Sequence, residues 1–204
     1  MKKNFKTVLT LVLSAVLLCT VSVFGTLAYL QAQTEEVTNT FSAAHLPEIT
    51  LDEAEVNDVI PGIYEKKDPE VRVRTNTYDT IVPGQNLPKD PTISFPGEQD
   101  LEVGAYVFVQ ATGLQAGSTD GLTWEWADGW KAVAGETGLR YKILRAGEDD
   151  DIQIIKGNTV IVPTDYAGND TNTKLTFQAY LVQSAGFASP KAAWDATYGA
   201  TPQP

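Results

Sequence analysis

The segment from Gly104 to Ala111 constrains the fold more than any other stretch of the sequence. Its side chains alternate between two faces, and both faces are apolar. One face carries Ala105, Val107, Val109 and Ala111, and the other carries Tyr106 and Phe108. A strand that is apolar on both faces has to be covered on both sides. We therefore predict a strand in the middle of a β-sandwich.

Short apolar runs separated by glycine, proline and acidic turns predict further strands along the chain. These strands are expected at residues 41–53, 71–73, 92–95, 138–144, 152–155, 159–162 and 174–183. Pro61-Gly62 predicts a turn. Gly157-Asn158 predicts a tight hairpin between the strands that flank it.

The C-terminal part carries a helix signal. Ser189 is a typical N-cap residue, and Pro190 suits the first helical turn. The predicted fold class is all-β: a jelly-roll-like antiparallel β-sandwich over residues 41–200, with an N-terminal signal helix, a short C-terminal helix and a tail at 201–204.

The first 28 residues have the order of a secretory signal. Lys2, Lys3 and Lys6 precede an apolar run, and small residues follow it. We predict cleavage between Ala28 and Tyr29, with Ala32 as the second choice. The apolar stretch is also long enough for an uncleaved anchor. Cleavage by a signal peptidase would give a secreted protein without a stable membrane span.

Charge and cysteine content exclude several functions. Removal of the three leader lysines changes the formal charge from −11 to −14. No basic cluster lies beyond these lysines, and binding to a phosphate backbone needs one, so nucleic acid is not an expected partner. An acidic surface serves solubility or attracts cations. The only cysteine, Cys19, lies in the leader behind Leu18, where a lipidation signal needs a small residue. The mature chain therefore has no disulfide and no thiolate chemistry.

Residues 29–40 form a polar, weakly patterned arm. Its apolar points are Tyr29, Leu30 and Val37, and Phe41 follows it. A segment without a partner in its own domain can add to the sheet edge of another molecule. The arm is therefore the candidate donor strand.

The sequence offers little for catalysis. His45 is the only histidine, which excludes a zinc site built on two histidines, and no serine sits in a nucleophile elbow. Paired carboxylates for glycoside cleavage stay open, because acidic residues are numerous. We expect no enzyme and no cofactor.

Two acidic loops are weak calcium candidates. One contains Asp149, Asp150 and Asp151, and the other contains Asp165 and Asp170. Hard oxygen ligands suit calcium, but neither loop has helix-loop-helix spacing, and such runs are usually solvated loops.

Three tryptophans lie on alternate positions: Trp124, Trp126 and Trp130. An exposed row of flat rings could stack on sugars. The other interpretation is that the rings fill the core, with a hairpin turn at Asp128-Gly129.

Several stretches resemble the TasA/camelysin-like family, secreted by Gram-positive bacteria with a SipW-type signal peptidase. They are GTLAYLQAQTEEVTNTFSAAHLPEITLDE, IVPGQNLPKDPTISFPG, GAYVFVQATG, LTFQAYLVQSAGF and SPKAAW; residues 113–172 carry no part of the resemblance. The resemblance implies a jelly-roll-like β-sandwich that forms matrix fibres, in which the arm of one subunit completes the sheet of the next. The metalloprotease label of the camelysin branch does not carry over, because the chain has one histidine.

The sequence thus predicts a structural protein that builds biofilm matrix or cell-surface fibres by N-terminal strand addition. Its expected partners are copies of itself and other matrix proteins. The alternative is a carbohydrate- or protein-binding module at the cell surface. A hydrolase that uses His45 is a third hypothesis.

Overall fold

The computed structural model describes residues 8–15, 46–96, 101–118, 121–148, 150–168 and 173–199. The chain divides into two compact units, Met1–Ser42 and Ala43–Pro204. Residues 8–15 of the first unit form helix α1, whose side chains are exposed. No helix within the described ranges is long and apolar enough to cross a membrane. The predicted cleavage site, the arm and the tail lie outside the described residues.

In its described residues the second unit is all-β apart from one short α-helix and one turn of 3-10 helix. Its strands are β1 (Thr50–Ala54), β2 (Val56–Ile60), β3 (Ile63–Lys66), β4 (Arg72–Val73), β5 (Leu87–Pro88), β6 (Thr92–Ser94), β7 (Ala105–Gly113), β8 (Lys131–Ala132), β9 (Leu139–Leu144), β10 (Ile152–Gln153), β11 (Thr159–Val160) and β12 (Leu175–Gln183). Helix α2 (Pro190–Thr197) follows β12. The all-β prediction is confirmed.

The strands pair in antiparallel fashion in two larger and two smaller sheets. The main sheet has the order β12-β7-β9-β8, and the second has the order β10-β6-β1-β4. The pairs β11-β5 and β2-β3 form the smaller sheets. Side chains from both larger sheets, such as Ile93 of β6 and Val107 and Val109 of β7, share one hydrophobic cluster. This cluster is the main core.

Strand β7 has the central position and the two covered faces that the sequence predicts. It lies between β12 and β9, and the face that carries Ala105, Val107, Val109 and Ala111 is buried in the main core. On the opposite face Phe108 is fully buried, in a second cluster that includes Trp194 of α2. The Phe108 and Trp194 ring centroids lie 5.3 Å apart. Helix α2 therefore covers the second face of the main sheet.

Helix α2 begins where the sequence predicts. The Ser189 side chain accepts a hydrogen bond of 3.2 Å from the backbone N–H of Ala192, and Pro190 is the first helical residue. Proline is well placed there, because the N–H that it lacks has no partner within a helix. The cap and the burial of Trp194 together fix the helix on the sheet.

The predicted hairpin at Gly157-Asn158 is wrong. Strand β10 pairs with β6, and β11 pairs with β5, so the two flanking strands do not pair with each other. Gly157 and Asn158 both have positive φ, 65° and 53°, within a 3-10 turn that redirects the chain. The hydrogen bonds of the two strands go to partners far away in sequence.

Three other strand predictions need correction. The acidic stretch that precedes residue 69 contains the hairpin β2-β3, of which the sequence predicts only the turn at Pro61-Gly62. The predicted strand at residues 41–53 is a strand only from Thr50 onwards within its described part, since residues 46–49 are not in a strand, and Phe41 lies outside the described residues. The Asp128-Gly129 turn is present, but Trp126 before it bridges to Ile155 rather than to the strand after the turn.

Candidate functional site

Strand β12 forms a long edge of the main sheet. All nine of its residues pair with β7 in an unbroken register from Leu175 opposite Gly113 to Gln183 opposite Ala105. The next pair beyond each end makes one hydrogen bond: Leu114 N–H donates to Lys174 O, and Ser184 N–H donates to Gly104 O. Hydrogen-bonded pairs alternate along an antiparallel ladder, so the even-numbered residues of β12 face β7.

The odd-numbered residues of β12 consequently direct their backbone N–H and C=O groups away from the sheet. Within the described ranges, these groups have no backbone partner. Nine residues correspond to an edge of about 30 Å. The opposite edge strand, β8, has only two residues.

The β12 edge also lacks the features that usually keep edge strands from pairing. The sequence LTFQAYLVQ contains no charged residue and no proline, and the register shows no bulge. Proteins commonly protect a sheet edge with lysine, proline or a bulge. Leu175, Phe177, Ala179 and Leu181 pack against the main core, as the predicted alternation requires. The edge is thus anchored to the core through one face of β12 and is suited to accept another strand.

The residues predicted to donate that strand, Tyr29, Leu30, Val37 and Phe41, lie outside the described residues. So does Ala28, before the predicted cut. These predictions stay predictions.

The three tryptophans do not form an exposed row. Trp124 is 1% exposed and Trp130 is 6% exposed, whereas Trp126 is half-buried. The indole N–H of Trp124 donates to Leu114 O at 2.9 Å, and that of Trp130 donates to Gln153 O at 2.9 Å. Rings with satisfied N–H groups inside a core act in packing. The core interpretation is confirmed for Trp124 and Trp130.

A small pocket lies beside Trp126. Its volume is about 200 Å³, and apolar side chains, among them Leu114, Trp126 and Leu139, form about half of its lining. Gln115, Glu136 and Arg140 add polar groups. The Arg140 guanidinium lies 5.2 Å from the centroid of the Trp126 ring. No local sequence pattern indicates this pocket, because residues from β7, β8, β9 and three loops build it.

A wider depression of about 610 Å³ contains part of one acidic loop. Asp150 and Asp151 line it together with Asp128 and Lys142. Burial lowers the pKa of Lys142, and the charge of Asp128 partly opposes this shift. No group of three or more His, Cys, Asp or Glu side chains within the described ranges could hold a metal ion.

The remaining calcium candidates are scattered or not described. Asp165 is exposed and does not line the depression. Asp149 and Asp170 lie outside the described residues. The structure therefore does not bring the described candidates of the two loops together.

A buried ion pair links β1 to the residue after β5. Glu53 Oε1 and Lys89 Nζ are 2.8 Å apart, and their side chains are 5% and 13% exposed. Next to it, Asp90 accepts hydrogen bonds from Ala54 N–H at 2.7 Å and from Lys66 Nζ. Glu53 and Lys89 are 36 residues apart along the chain, and so no local sequence pattern indicates that they pair.

Tyr78 lies close to these two carboxylates. Burial raises the pKa of its phenol, and the negative charges of Glu53 and Asp90 raise this pKa further. The protonated hydroxyl donates to Pro88 O. The group therefore stays neutral and ties the 74–86 loop to β5. His45, the only histidine, lies outside the described residues.

Comparisons with protein families, with characterised proteins and with solved structures found no match to this chain.

Proposed function

We propose that this protein is a secreted structural protein that assembles into extracellular matrix (biofilm) or cell-surface fibres. In this proposal the all-β unit is a jelly-roll-like β-sandwich, as the resemblance to TasA/camelysin-like proteins implies. The observation that carries the proposal is the edge of β12, which has no strand paired to its outer side among the described residues and is long, uncharged and without proline.

The mechanism is strand addition between subunits. Signal peptidase frees the arm at Tyr29, and residues 29–40 of one subunit pair with β12 of the next. An extended arm of this length reaches roughly 40 Å, which is enough to cover the β12 edge. Main-chain hydrogen bonds supply most of the affinity, and apolar side chains of the arm add to it.

The geometry of such a contact favours a filament. Donor and acceptor are different parts of the same chain, so each added subunit exposes a new acceptor edge. Head-to-tail contacts that do not close into a ring give open fibres. Catalysis, a cofactor and nucleic acid have no part in this mechanism.

Deletion of residues 29–39 from the mature chain tests the proposal. The shortened protein should stay folded and monomeric, while the mature chain forms filaments under the same conditions, as seen by electron microscopy. A chain that lacks residues 201–204 is the matched control and should form filaments. Filaments of unchanged form and amount after removal of the arm would show that the mechanism is wrong.

A second candidate function is a binding module for a carbohydrate or protein at the cell surface. The observation in its favour is the pocket beside Trp126 and Arg140, rather than the tryptophan row. The two functions are compatible, because the pocket does not include β12.

A further inference from the structure

Two described arginines, Arg74 and Arg140, have no ion-pair partner within the described ranges, and of these Arg74 is exposed whereas Arg140 is half-buried. The Arg140 side chain lies over the Trp126 ring, and it makes no ion pair and no side-chain hydrogen bond to another described residue. Arg72, by contrast, bonds Asp52 at 2.8 Å and Asp90 at 3.3 Å.

A half-buried guanidinium without an ion-pair partner is a favourable binding group for an anion. The guanidinium offers five donors in a planar fork that matches a carboxylate, and it carries its charge at all relevant pH values. The Trp126 ring holds one face of the fork, which reduces the freedom that binding would cost. The pocket beside it leaves space for the body of a ligand.

The other polar groups of the pocket accept hydrogen bonds. Gln115 Nε2 donates one hydrogen bond to Gly113 O at 2.9 Å, which leaves its side-chain oxygen as an acceptor and one N–H as a further donor. Glu136 contributes a carboxylate, 3.5 Å from Lys191 Nζ, which partly offsets its charge. Lys191 itself lies closer to Asp195, at 2.7 Å.

These acceptors require a ligand with hydroxyl donors. A purely aliphatic acid would satisfy Arg140 but would desolvate the acceptors without pairing them, which is unfavourable. The pocket volume of about 200 Å³ corresponds to roughly six or seven water molecules in the liquid. That space suits one substituted six-membered ring.

We infer that this pocket binds one residue of an acidic sugar, a hexuronic acid, with its carboxylate on Arg140 and its hydroxyl groups on Glu136 and Gln115. The apolar lining would contact the C–H groups of the ring. The inference rests on the second candidate function, surface sugar binding, and is independent of strand addition.

Titration of the full chain with D-glucuronate tests the inference, with D-glucose as the uncharged match. Calorimetry measures the affinity, and tryptophan fluorescence reports binding, because Trp124 and Trp126 line the pocket. Glucuronate should bind at least about tenfold more tightly than glucose, because charge-assisted bidentate bonds are the stronger kind. An oligosaccharide that ends in glucuronate separates recognition of a chain terminus from recognition of the free acid.

Substitution then locates the site. Arg140→Gln should weaken glucuronate binding at least about tenfold, and Arg140→Lys should retain part of it, because lysine keeps the charge without the fork. Arg145→Gln is the matched control and should change nothing, since the Arg145 side chain is 87% exposed and does not line the pocket. Near-ultraviolet circular dichroism confirms that each variant is folded.

The comparison of glucose with glucuronate on the unaltered chain tests the inference even if a variant misfolds. Equal affinity for glucose and glucuronate would overturn the inference and leave surface sugar binding in place. Absence of binding to any of these sugars would overturn both, with no bearing on filament formation.

Discussion

Replacement of Lys89 by methionine should destabilise the protein strongly. Lys89 is the ion-pair partner of Glu53 in the described structure, and both side chains are nearly excluded from water, at 13% and 5% exposure. The second carboxylate oxygen, Glu53 Oε2, is already buried without a hydrogen-bond partner among the described residues. Methionine preserves most of the side-chain volume but leaves the carboxylate without compensation.

The expected loss in the free energy of unfolding is about 3–5 kcal/mol, the usual cost of breaking a buried pair on one side. For a domain of this size the melting temperature should fall by about 6–20 °C. Urea unfolding followed by tryptophan fluorescence measures the free energy, because Trp124 and Trp130 are buried in the folded state. Circular dichroism gives the melting temperature.

The double variant Glu53→Met/Lys89→Met separates the two contributions. Replacement of a whole buried pair by apolar residues of similar size is often neutral or stabilising, so the double variant should recover most of the loss. Lys156→Met is the control, because the Lys156–Glu125 pair is exposed on both sides and its loss should not be measurable. A loss below about 1 kcal/mol in Lys89→Met would refute the reasoning, since a buried charge would then cost little.

Two further predictions concern Tyr78 and Gly113. The pKa of Tyr78 is raised in the folded state by burial and by the charges of Glu53 and Asp90. The contribution of this shift to stability is therefore complete below the unfolded pKa of about 10 and is lost as the pH rises above that value. Tyr78→Phe should flatten the alkaline decline of the free energy of unfolding, measured with urea at stepwise pH, and an unchanged decline would contradict the assignment. Gly113 has φ +88°, and a Cβ there would lie 1.9 Å from Lys174 O, whereas Gly117 has φ +70° and open space. Gly117→Ala should cost about 1–2 kcal/mol, and Gly113→Ala should cost clearly more; equal losses would show that the contact at Gly113 can relax.

Local patterns in the sequence predicted the parts of the fold that local forces determine. Strand β12 alternates cleanly, β7 is apolar on both faces, and α2 carries its own cap in Ser189. Each of these elements has its signal within about ten consecutive residues, which is why the boundaries came close to those of the structure.

The predictions that are wrong concern features that depend on residues far apart in the sequence. Nothing near Gly157 indicates that β10 pairs with β6 rather than with β11. The hairpin β2-β3 is largely exposed, and its apolar residues do not alternate regularly with polar ones, so it lacks the pattern that marks a half-buried strand.

The candidate sites show the same limit. The sequence predicts β12 as a strand, but its position at an edge follows only from the strand order. The Glu53–Lys89 pair and the Arg140 pocket each join residues from separate elements. In the sequence these side chains look like ordinary surface charges.

Cross-linking between subunits tests strand addition most directly. The mature chain predicted here contains no cysteine, so introduced cysteines give a clear background. One population would carry Val37→Cys or Thr38→Cys in the arm, one for each face of the added strand. The second would carry Gln178→Cys, exposed on β12, or Lys131→Cys, exposed on β8 at the opposite edge. Disulfides form only when Cβ atoms approach within about 3.5–4.5 Å.

The two populations are mixed under assembly conditions, oxidised and analysed by mass spectrometry after digestion. Strand addition predicts disulfides between the arm of one subunit and Gln178→Cys of another, and none to Lys131→Cys. Filaments that form without any link between the arm and β12, or with links to β8 instead, would contradict the proposal.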